Sequence, residues 1–480
     1  MGNNGFIKHL VRHLSAVKEN TIAFSLYDGS QVVNITYRQF LHDILKAAGY
    51  FSHRKVKNQH VAIAAENSYD WLVVFFAIIG SGNVAVLLNQ ELPRDILQRQ
   101  CEQADVSIIC SDTLRMLEFG TNLGNAECLD FNDIKAGPPI SVEQIYSLDP
   151  EDTIVMMFTS GTTGTSKIAE FSIYNVQLAM DGLEEIVSAP NMQRTLLTFP
   201  LYHISGLTTV ISQLQRYRTV CIGRGIRYIL TDMPTLNPSF ISMVPSVLNS
   251  IVKVLERTKS AEERQRIIGS NLAGISICGA SVKDSLCCYM MDLGIQVQSA
   301  YGLTESTGSG TWCIWNEENI GSIGKPYGRT QCRIEDGELL LKGPSVMKGY
   351  YKDPAGTAEI IQDGWLHTGD LAYCDENGYY YLTGRKKNVI ILSNGENVNP
   401  EEIELQFGEC KDILECMVYS DGKGICADIY TEKDTAAADF IKRYNEGVPL
   451  YRQVYKVNYS SAPLEKTGSG KIKRKENVYV

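Results

Sequence analysis

The stretch that decides the fold is Met156-Met-Phe-Thr-Ser-Gly-Thr-Thr-Gly-Thr-Ser-Lys167. It begins within the apolar run 154–158, which predicts a buried strand, and continues as six small residues at 159–164. Glycines allow a backbone to approach a ligand closely, and successive backbone N–H groups form a concave site for an anion. The segment is therefore predicted to be a strand followed by a loop that holds a phosphate chain, to which Lys167 adds a positive charge.

This loop differs from a Walker A loop, whose pattern is Gly-x-x-x-x-Gly-Lys-Ser/Thr. Gly161 and Gly164 lie too close together, and two residues separate Gly164 from Lys167. An ordinary Ser/Thr/Gly turn is the alternative. The string instead resembles the phosphate loop of the adenylate-forming superfamily, which contains acyl- and aryl-CoA ligases, adenylation domains of peptide synthetases, and luciferases. The resemblance implies that the β and γ phosphates of ATP are held by Thr159, Ser160, Gly161, Thr162, Thr163, Gly164 and Lys167.

Length and composition limit the other classes of protein. A length of 480 residues predicts about two or three domains. A net charge of −10 argues against a sequence-independent nucleic-acid binder, which needs a basic face. The 13 scattered cysteines include no C-x-x-C pair, so they favour a reducing cytosol over a zinc or redox site.

The lack of a recognisable targeting segment also favours the cytoplasm. The N-terminus shows no long apolar segment of the kind that a signal peptide needs. The apolar run 71–88 is broken by Gly80-Ser-Gly-Asn83, which predicts a buried helix followed by a buried strand and not a membrane span.

The order of elements predicts an α/β fold. Strands and helices alternate over residues 61–110, which indicates a mostly parallel sheet with helices on its faces. Short strands and tight turns after residue 326 predict a small antiparallel β subdomain. A fresh alternation after residue 388 predicts a mobile C-terminal α+β lid domain. The predicted domains are an N-terminal adenylation core at 1–384, built of helix-flanked β-sheets plus the antiparallel subdomain, and a lid at 385–480.

A second motif, Ala300-Tyr-Gly-Leu-Thr-Glu305, follows a predicted strand. Tyr301 offers a face for stacking, Gly302 allows close approach of a planar ring, and Glu305 can ligate Mg²⁺, which prefers carboxylate and phosphate oxygens. A common loop composition is the alternative. The string resembles the superfamily's adenine and magnesium loop, and the turn at 279–281 resembles the one that covers the adenine. The resemblance implies nucleotide-binding or catalytic roles for Gly279, Ala280, Ser281, Ala300, Tyr301, Gly302, Thr304 and Glu305.

A third motif is Trp365-Leu-His-Thr-Gly-Asp370, followed by Gly384-Arg385. The Asp370 carboxylate can accept from two vicinal ribose hydroxyls, and Arg385 stays cationic and can serve ribose or phosphate. A surface ion pair is the alternative. The resemblance implies that Asp370 and Arg385 are the ribose and hinge-side residues, and that the lid turns about Lys387.

Two further motifs carry a lysine and a histidine. Residues 464–474 resemble the superfamily's C-terminal lysine loop, which implies that Lys471 bridges the substrate carboxylate and the α-phosphate during adenylation. A solvated lysine run is the alternative. Residues 200–206 resemble the aromatic/His loop, which implies that His203 flanks the carboxylate and gates the acyl pocket, although a lone histidine is more often structural.

The resemblance spans residues 20–475 and implies an adenylate-forming ligase that converts a carboxylic acid and Mg·ATP to acyl-AMP. A thiol then attacks the acyl-AMP, and the overall pattern favours CoA. One alternative is a stand-alone adenylation enzyme that loads the phosphopantetheine of an acyl carrier protein. An amino-acid-activating domain usually has a pocket Asp, and Asp232 lies in the region without a clear place. The other alternative is a non-catalytic acyl-AMP-binding protein, against which the retained Lys471, Glu305 and Asp370 argue.

Overall fold

The computed structural model describes residues 17–159, 166–186, 192–280, 282–392, 396–466 and 472–475. Two large sheets with helices around them form the N-terminal part, a small antiparallel sheet follows, and an α+β unit ends the chain. The predicted fold class is therefore confirmed.

The first large sheet, here called sheet I, carries the phosphate-loop strand. Its five central strands run parallel, and antiparallel strands complete both edges. The alternation at 61–110 thus predicted the sheet correctly. Its eight strands are, in spatial order, Gly349–Tyr350, Ile168–Ser172, Thr153–Phe158, Val84–Leu87, His60–Ile63, Val106–Ser111, Ala126–Asp130 and Asn122–Leu123.

The second large sheet, sheet II, carries the strand that leads into the predicted adenine loop. Six neighbouring strands in its middle run parallel, so their carboxyl ends and the loops that follow meet at one edge. Its nine strands are, in spatial order, Lys325–Pro326, Gly310–Ile314, Gln296–Gly302, Gly274–Cys278, Phe240–Met243, Arg194–Leu196, Thr219–Ile222, Ile22–Tyr27 and Val32–Thr36.

Helices cover both sheets, and several of them begin at a residue whose side chain caps the first turn. The side chain of Thr36 accepts from the Gln39 N–H and caps Tyr37–His53. Tyr69–Gly80 is buried on nearly all sides, which confirms a buried helix in the apolar run. In the part of the chain that the structure describes, no helix is long and apolar enough to cross a membrane. The other helices of this part are Arg94–Gln103, Thr113–Phe119, Phe131–Lys135, Ile173–Ile186, Ile204–Gln215, Ile229–Leu236, Pro245–Arg257, Ala261–Ile268 and Asp284–Asp292.

The predicted antiparallel subdomain is a five-stranded sheet with one short helix, Pro354–Ile360. Its longest strand pairs with three others, so this strand organises the subdomain and places residue 370 at its centre. The strands are Gln331–Glu335, Glu338–Lys342, Ile361–Gln362, Trp365–Cys374 and Tyr380–Arg385.

The C-terminal unit has its own apolar core. One of its elements was not predicted: Val454–Ser460 pairs parallel with Ile425–Thr431 at the edge of a three-stranded sheet. This edge strand buries only its first residue fully, so its sequence lacks a clear alternation. The other elements are Ile390–Ile391, Asn397–Val398, Pro400–Phe407, Ile413–Ser420 and Asp434–Gly447, and the short 3₁₀ helices of the chain are Val142–Gln144, Ile226–Tyr228, Thr304–Ser306, Lys386–Asn388 and Leu450–Arg452.

Candidate active site

The phosphate loop is closed at its base by the antiparallel pairing of Thr153–Phe158 with Ile168–Ser172. The Thr159 N–H donates to the Lys167 carbonyl at 2.8 Å and brings the two ends of the loop together. The predicted phosphate-binding residues between them, Ser160, Gly161, Thr162, Thr163 and Gly164, lie outside the described residues.

Lys167 is held loosely by two carboxylates. Its Nζ lies 3.8 Å from Asp353 Oδ2 and 3.8 Å from Glu359 Oε2, and its side chain is 31% exposed. The ammonium also stands 4.8 Å from the centroid of the Tyr350 ring. Ion pairs of this exposure contribute about 0–1 kcal/mol, so an arriving phosphate chain can draw Lys167 away from them at small cost.

Glu305 lies in the turn Thr304–Ser306, directly after the sheet II strand Gln296–Gly302. Its carbonyl accepts from the Met347 N–H at 2.8 Å, and its Oε1 accepts from the Tyr350 hydroxyl at 2.8 Å. Burial, followed by the charge of Glu305, raises the pKa of Tyr350, which keeps the hydroxyl protonated. The structure therefore links the predicted metal ligand to the ring beside Lys167.

The surroundings of Glu305 fit Mg²⁺. Over residues 17–159, 166–186, 192–280, 282–392, 396–466 and 472–475, no group of three or more His, Cys, Asp or Glu side chains could enclose a metal ion. Mg²⁺ seldom uses such cages, because it is usually bound by one or two carboxylates together with substrate phosphates and water. A partly exposed carboxylate next to a phosphate loop is the donor set that this mode of binding requires.

Both carboxylate oxygens of Asp370 are bonded to neighbouring side chains. It pairs in register with Arg385 across two antiparallel strands, and Arg385 Nε lies 2.5 Å from its Oδ1. The Tyr301 hydroxyl donates to Oδ2 at 2.6 Å. Burial and the neighbouring Asp370 charge raise the pKa of Tyr301 well above its usual value. No local sequence signal indicates the Tyr301 hydroxyl as a partner of Asp370, because the two residues are 69 positions apart.

The predicted adenine turn and adenine loop meet at the edge of sheet II. Cys278 pairs with Ala300 across parallel strands, so the next residue, Gly279, leaves the sheet beside Tyr301; Ala280 follows, and Ser281 lies outside the described residues. A Cβ on Gly302 would lie 2.3 Å from the Gly308 carbonyl oxygen. Glycine at position 302 is therefore required by the protein's own backbone, a reason that differs from the predicted approach of a ring.

His203 is placed at the same edge by a tight turn. The parallel strand Arg194–Leu196 precedes it, and His203 is the N-terminal flanking residue of the helix Ile204–Gln215. Its N–H donates to the Pro200 carbonyl at 3.0 Å, and its exposed imidazole lies 4.6 Å from the Tyr202 ring centroid. The histidine thus faces outward at the edge that carries the adenine loop.

Asp232, which the sequence could not place, is a structural residue. It is 1% exposed, and it accepts from the Arg224 N–H at 2.7 Å and from Arg224 Nη2 at 2.6 Å. Both oxygens are thus bonded to Arg224, so the charge of Asp232 is already balanced within the protein. This removes the one residue that the sequence offered for an amino-acid pocket.

Glu338 is a buried carboxylate next to the predicted hinge. It belongs to none of the motifs that the sequence offered. It is 4% exposed and accepts from the Gly369 N–H at 2.8 Å and from Lys386 Nζ at 2.9 Å. It therefore connects the residue before Asp370 to the residue before Lys387. Burial lowers the pKa of Lys387, and the charges of nearby arginines lower it further.

Lys471 itself lies outside the described residues, but the chain on both sides of it is anchored. Lys466 and Ile472 form an isolated antiparallel bridge. Arg474 Nη2 lies 2.6 Å from Glu404 Oε2 and 3.1 Å from Glu401 Oε1. Burial alone would lower the pKa of Arg474, but these two carboxylates raise it above its usual value.

Comparison with known proteins supports the assignment of a family. Residues 12–351 match the family described as AMP-binding enzyme. A 2-succinylbenzoate–CoA ligase from Bacillus mycoides (strain KBAB4) is 28% identical over 467 residues, which cover 92% of this chain and 93% of the relative. A ligase of the same name from Bacillus cereus (strain AH820) is 30% identical over 390 residues, which cover 77% of each protein.

The comparison of structures agrees. The o-succinylbenzoate CoA synthetase from Bacillus subtilis, in complex with the acyl-adenylate intermediate OSB-AMP, matches with a TM-score of 0.84 and 24% identity over 96% of each chain. The shared fold includes the sheets that carry the candidate site. The resemblance inferred from the sequence motifs is confirmed, and the chain belongs to the AMP-binding enzyme family.

Proposed function

We propose that this protein activates a carboxylic acid with Mg·ATP as acyl-AMP and then transfers the acyl group to CoA. The observation that carries the proposal is the convergence of Lys167 and Glu305 on one tyrosine beside the phosphate loop, at 4.8 and 2.8 Å. An ammonium and a carboxylate that contact the same side chain suit the phosphates and the metal ion of a metal–polyphosphate complex. The acid–thiol ligase class predicted from the sequence is confirmed by the relatives, both of which are CoA ligases.

Each residue of the site has a defined part in this reaction. Lys167 neutralises the β and γ phosphates as they enter the loop, and Glu305 supplies a carboxylate oxygen for Mg²⁺. Bound Mg²⁺ neutralises phosphate charge and orients the triphosphate. Asp370 and Arg385 bind the ribose, and His203 flanks the substrate carboxylate. Because that carboxylate attacks the α-phosphorus directly, the protein contributes a preorganised cation, Lys471, and needs no covalent nucleophile.

The second half-reaction needs the lid to move. The proposed boundary between core and lid lies between Gly384 and Arg385, at the last residue of the strand Tyr380–Arg385, and the short helix Lys386–Asn388 follows it. Rotation near Lys387 would withdraw Lys471 after adenylation and admit the thiol of CoA. We retain 1–384 as the core and 385–480 as the lid.

The acid that we propose is 2-succinylbenzoate. It is the substrate in the names of both relatives, and the occupied Asp232 leaves no support for an amino acid. We further propose that the protein works in the cytosol. All 13 cysteines are free thiols, and burial raises the pKa of several of them, among them Cys101 and Cys278, each to about 12.

The test is an ATP–pyrophosphate exchange assay with a panel of acids, followed by addition of CoA. We expect exchange with 2-succinylbenzoate and formation of its CoA thioester. Exchange that is followed by acylation of a holo carrier protein, with CoA left unused, would support the carrier-loading alternative. A protein that binds acyl-AMP and exchanges no pyrophosphate with any acid would support the non-catalytic alternative.

A further inference from the structure

Tyr350 lies between the two charged groups that the proposed function assigns to Mg·ATP. Its hydroxyl donates to Glu305 Oε1 at 2.8 Å, and its ring centroid lies 4.8 Å from Lys167 Nζ. We propose that Tyr350 is a positioning residue that aligns Glu305 for the metal ion and Lys167 for the phosphates at the same time. This inference rests on the proposed function, because that function supplies the metal ion and the phosphates that the two groups would bind.

The backbone fixes Tyr350 where both groups can reach it. Gly349–Tyr350 pairs antiparallel with Ile168–Ser172, and Tyr350 lies opposite Ala169, two residues beyond Lys167. The Tyr350 N–H donates to Thr357 Oγ1 at 2.8 Å, and the residue is only 8% exposed. The backbone of Tyr350 is therefore held by the edge of sheet I and by Thr357 of the following helix.

The hydroxyl limits the freedom of Glu305. The last torsion of a glutamate is broad, so a carboxylate without a partner samples many orientations before a metal binds. Residues that hydrogen-bond to a metal ligand orient it, and their loss typically reduces metal affinity or activity by about 10–100-fold. A phenol carries its proton at neutral pH, so the Tyr350 hydroxyl is a donor to the carboxylate.

The ring limits the freedom of Lys167. An ammonium within about 6 Å of an aromatic centroid is attracted by the face of the ring, whereas the carboxylates of Asp353 and Glu359 stand 3.8 Å away. Lys167 can thus leave those carboxylates for a phosphate while it stays over Tyr350. Tyr350 thus contacts both the cation and the predicted metal ligand, so one side chain orients the two groups that a metal–polyphosphate complex needs.

Tyr350→Phe tests this role, because it keeps the ring and removes only the hydroxyl. Tyr351→Phe is the matched control: the adjacent tyrosine donates its hydroxyl to Asp105 at 2.6 Å, away from Glu305. The measurement is Mn²⁺ binding to the full-length protein with a non-hydrolysable ATP analogue, followed by electron paramagnetic resonance. We expect the Mn²⁺ dissociation constant to rise about tenfold or more in Tyr350→Phe and to stay within about twofold of wild type in Tyr351→Phe.

A second measurement uses Glu305→Gln as the background. If the hydroxyl acts through Glu305, adding Tyr350→Phe to Glu305→Gln will not weaken Mn²⁺ binding further. Wild-type Mn²⁺ affinity in Tyr350→Phe, or equal losses in Tyr350→Phe and Tyr351→Phe, would overturn the inference and leave the proposed function standing. A wild-type protein that binds no Mn²⁺–nucleotide complex would overturn both.

Discussion

The two ends of the candidate nucleotide site hold their charged groups in different ways. On the ribose side, Asp370 is 4% exposed and is bonded by Tyr301 and Arg385 at 2.6 and 2.5 Å. On the phosphate side, the side chain of Lys167 is 31% exposed and lies 3.8 Å from its two carboxylate partners. The ribose side is a hydrogen-bonded cluster that is complete in the folded protein, whereas the phosphate side has a weakly held cation that can change partners.

The difference fits what each end must do during turnover. In the proposed reaction the ribose stays bound through both half-reactions, so a carboxylate that is oriented during folding would add affinity without further ordering. The β and γ phosphates leave as pyrophosphate after the first half-reaction, so a cation that bound them in a rigid cluster would slow their release. We therefore expect mutations on the ribose side to affect stability and binding, and mutations on the phosphate side to affect binding or chemistry alone.

The largest effect is expected from Asp370→Ala. It leaves the buried Tyr301 hydroxyl without its acceptor and Arg385 without its carboxylate, which should lower the free energy of unfolding by about 2–4 kcal/mol. The ATP KM should rise sharply while the KM for the acid changes little. Denaturant titration and steady-state kinetics measure the two effects.

The control for Asp370→Ala is Glu359→Ala on the phosphate side. Glu359 is 76% exposed and stands 3.8 Å from Lys167, so its removal should change the free energy of unfolding by about 0.5 kcal/mol or less. Equal losses of stability in the two variants would show that the ribose side is no more preorganised than the phosphate side. An unchanged ATP KM in Asp370→Ala would remove its proposed contact with the ribose.

The next largest effect is expected from Lys471→Ala. This lysine is proposed to act only in the transition state of adenylation, so acyl-AMP formation should slow by about 10²–10³. Conversion of supplied acyl-AMP to the thioester should continue, because the lysine has left the site by then. Rapid-quench measurement of each half-reaction separates the two. Equal losses in both would contradict the movement of the lid.

A smaller effect is expected from Lys167→Ala. Loss of one loosely held cation should raise the ATP KM about tenfold, as for a hydrogen bond to a charged group, with the free energy of unfolding changed by about 0.5 kcal/mol or less. Lys352→Ala is the matched control, since Lys352 pairs with Asp105 at 2.5 Å outside the site. A large loss of stability in Lys167→Ala would show that the phosphate side is as rigid as the ribose side.

The parts of the site that consist of short continuous motifs could be predicted from the sequence. The run 154–158 became the strand Thr153–Phe158, and the loop that follows it is closed between Thr159 and Lys167. The string 300–305 leaves sheet II beside the turn at 279–280 because parallel strands bring their carboxyl ends together. Local pattern and the direction of strands were sufficient for these features.

Contacts between distant segments could not be predicted, because they depend on how the sheets pack. Tyr350 meets Glu305 across 45 positions, and nothing in either local string indicates the partner. The same holds for Glu338, which reaches Lys386 across 48 positions. Asp232 shows the opposite case. Its position in the sequence allowed a role in substrate binding, but the structure shows that it bonds to Arg224.

The smallest effect is expected from Glu338→Gln, which extends the comparison from Asp370 to the hinge. Burial on its own raises the pKa of Glu338, but the hydrogen bonds from Lys386, the Gly369 N–H and His367 outweigh it and leave the pKa below its usual value of 4.5. A lowered pKa means that the ionised carboxylate favours the folded state. This contribution is present above about pH 4.5 and is lost as the pH falls through the lower, folded-state pKa.

Glu338→Gln should therefore reduce the free energy of unfolding by about 1 kcal/mol at pH 7, since glutamine can still accept from the Gly369 N–H but forms no ion pair with Lys386. The difference from wild type should shrink as the pH falls below the usual glutamate value and should vanish below the folded-state pKa, where wild-type Glu338 is neutral too. Urea midpoints of the two proteins across this range measure the effect. A difference that stays constant with pH would show that the charge of Glu338 does not stabilise the folded protein. The hydrogen-bonded cluster on the ribose side would then not extend from Asp370 to the hinge.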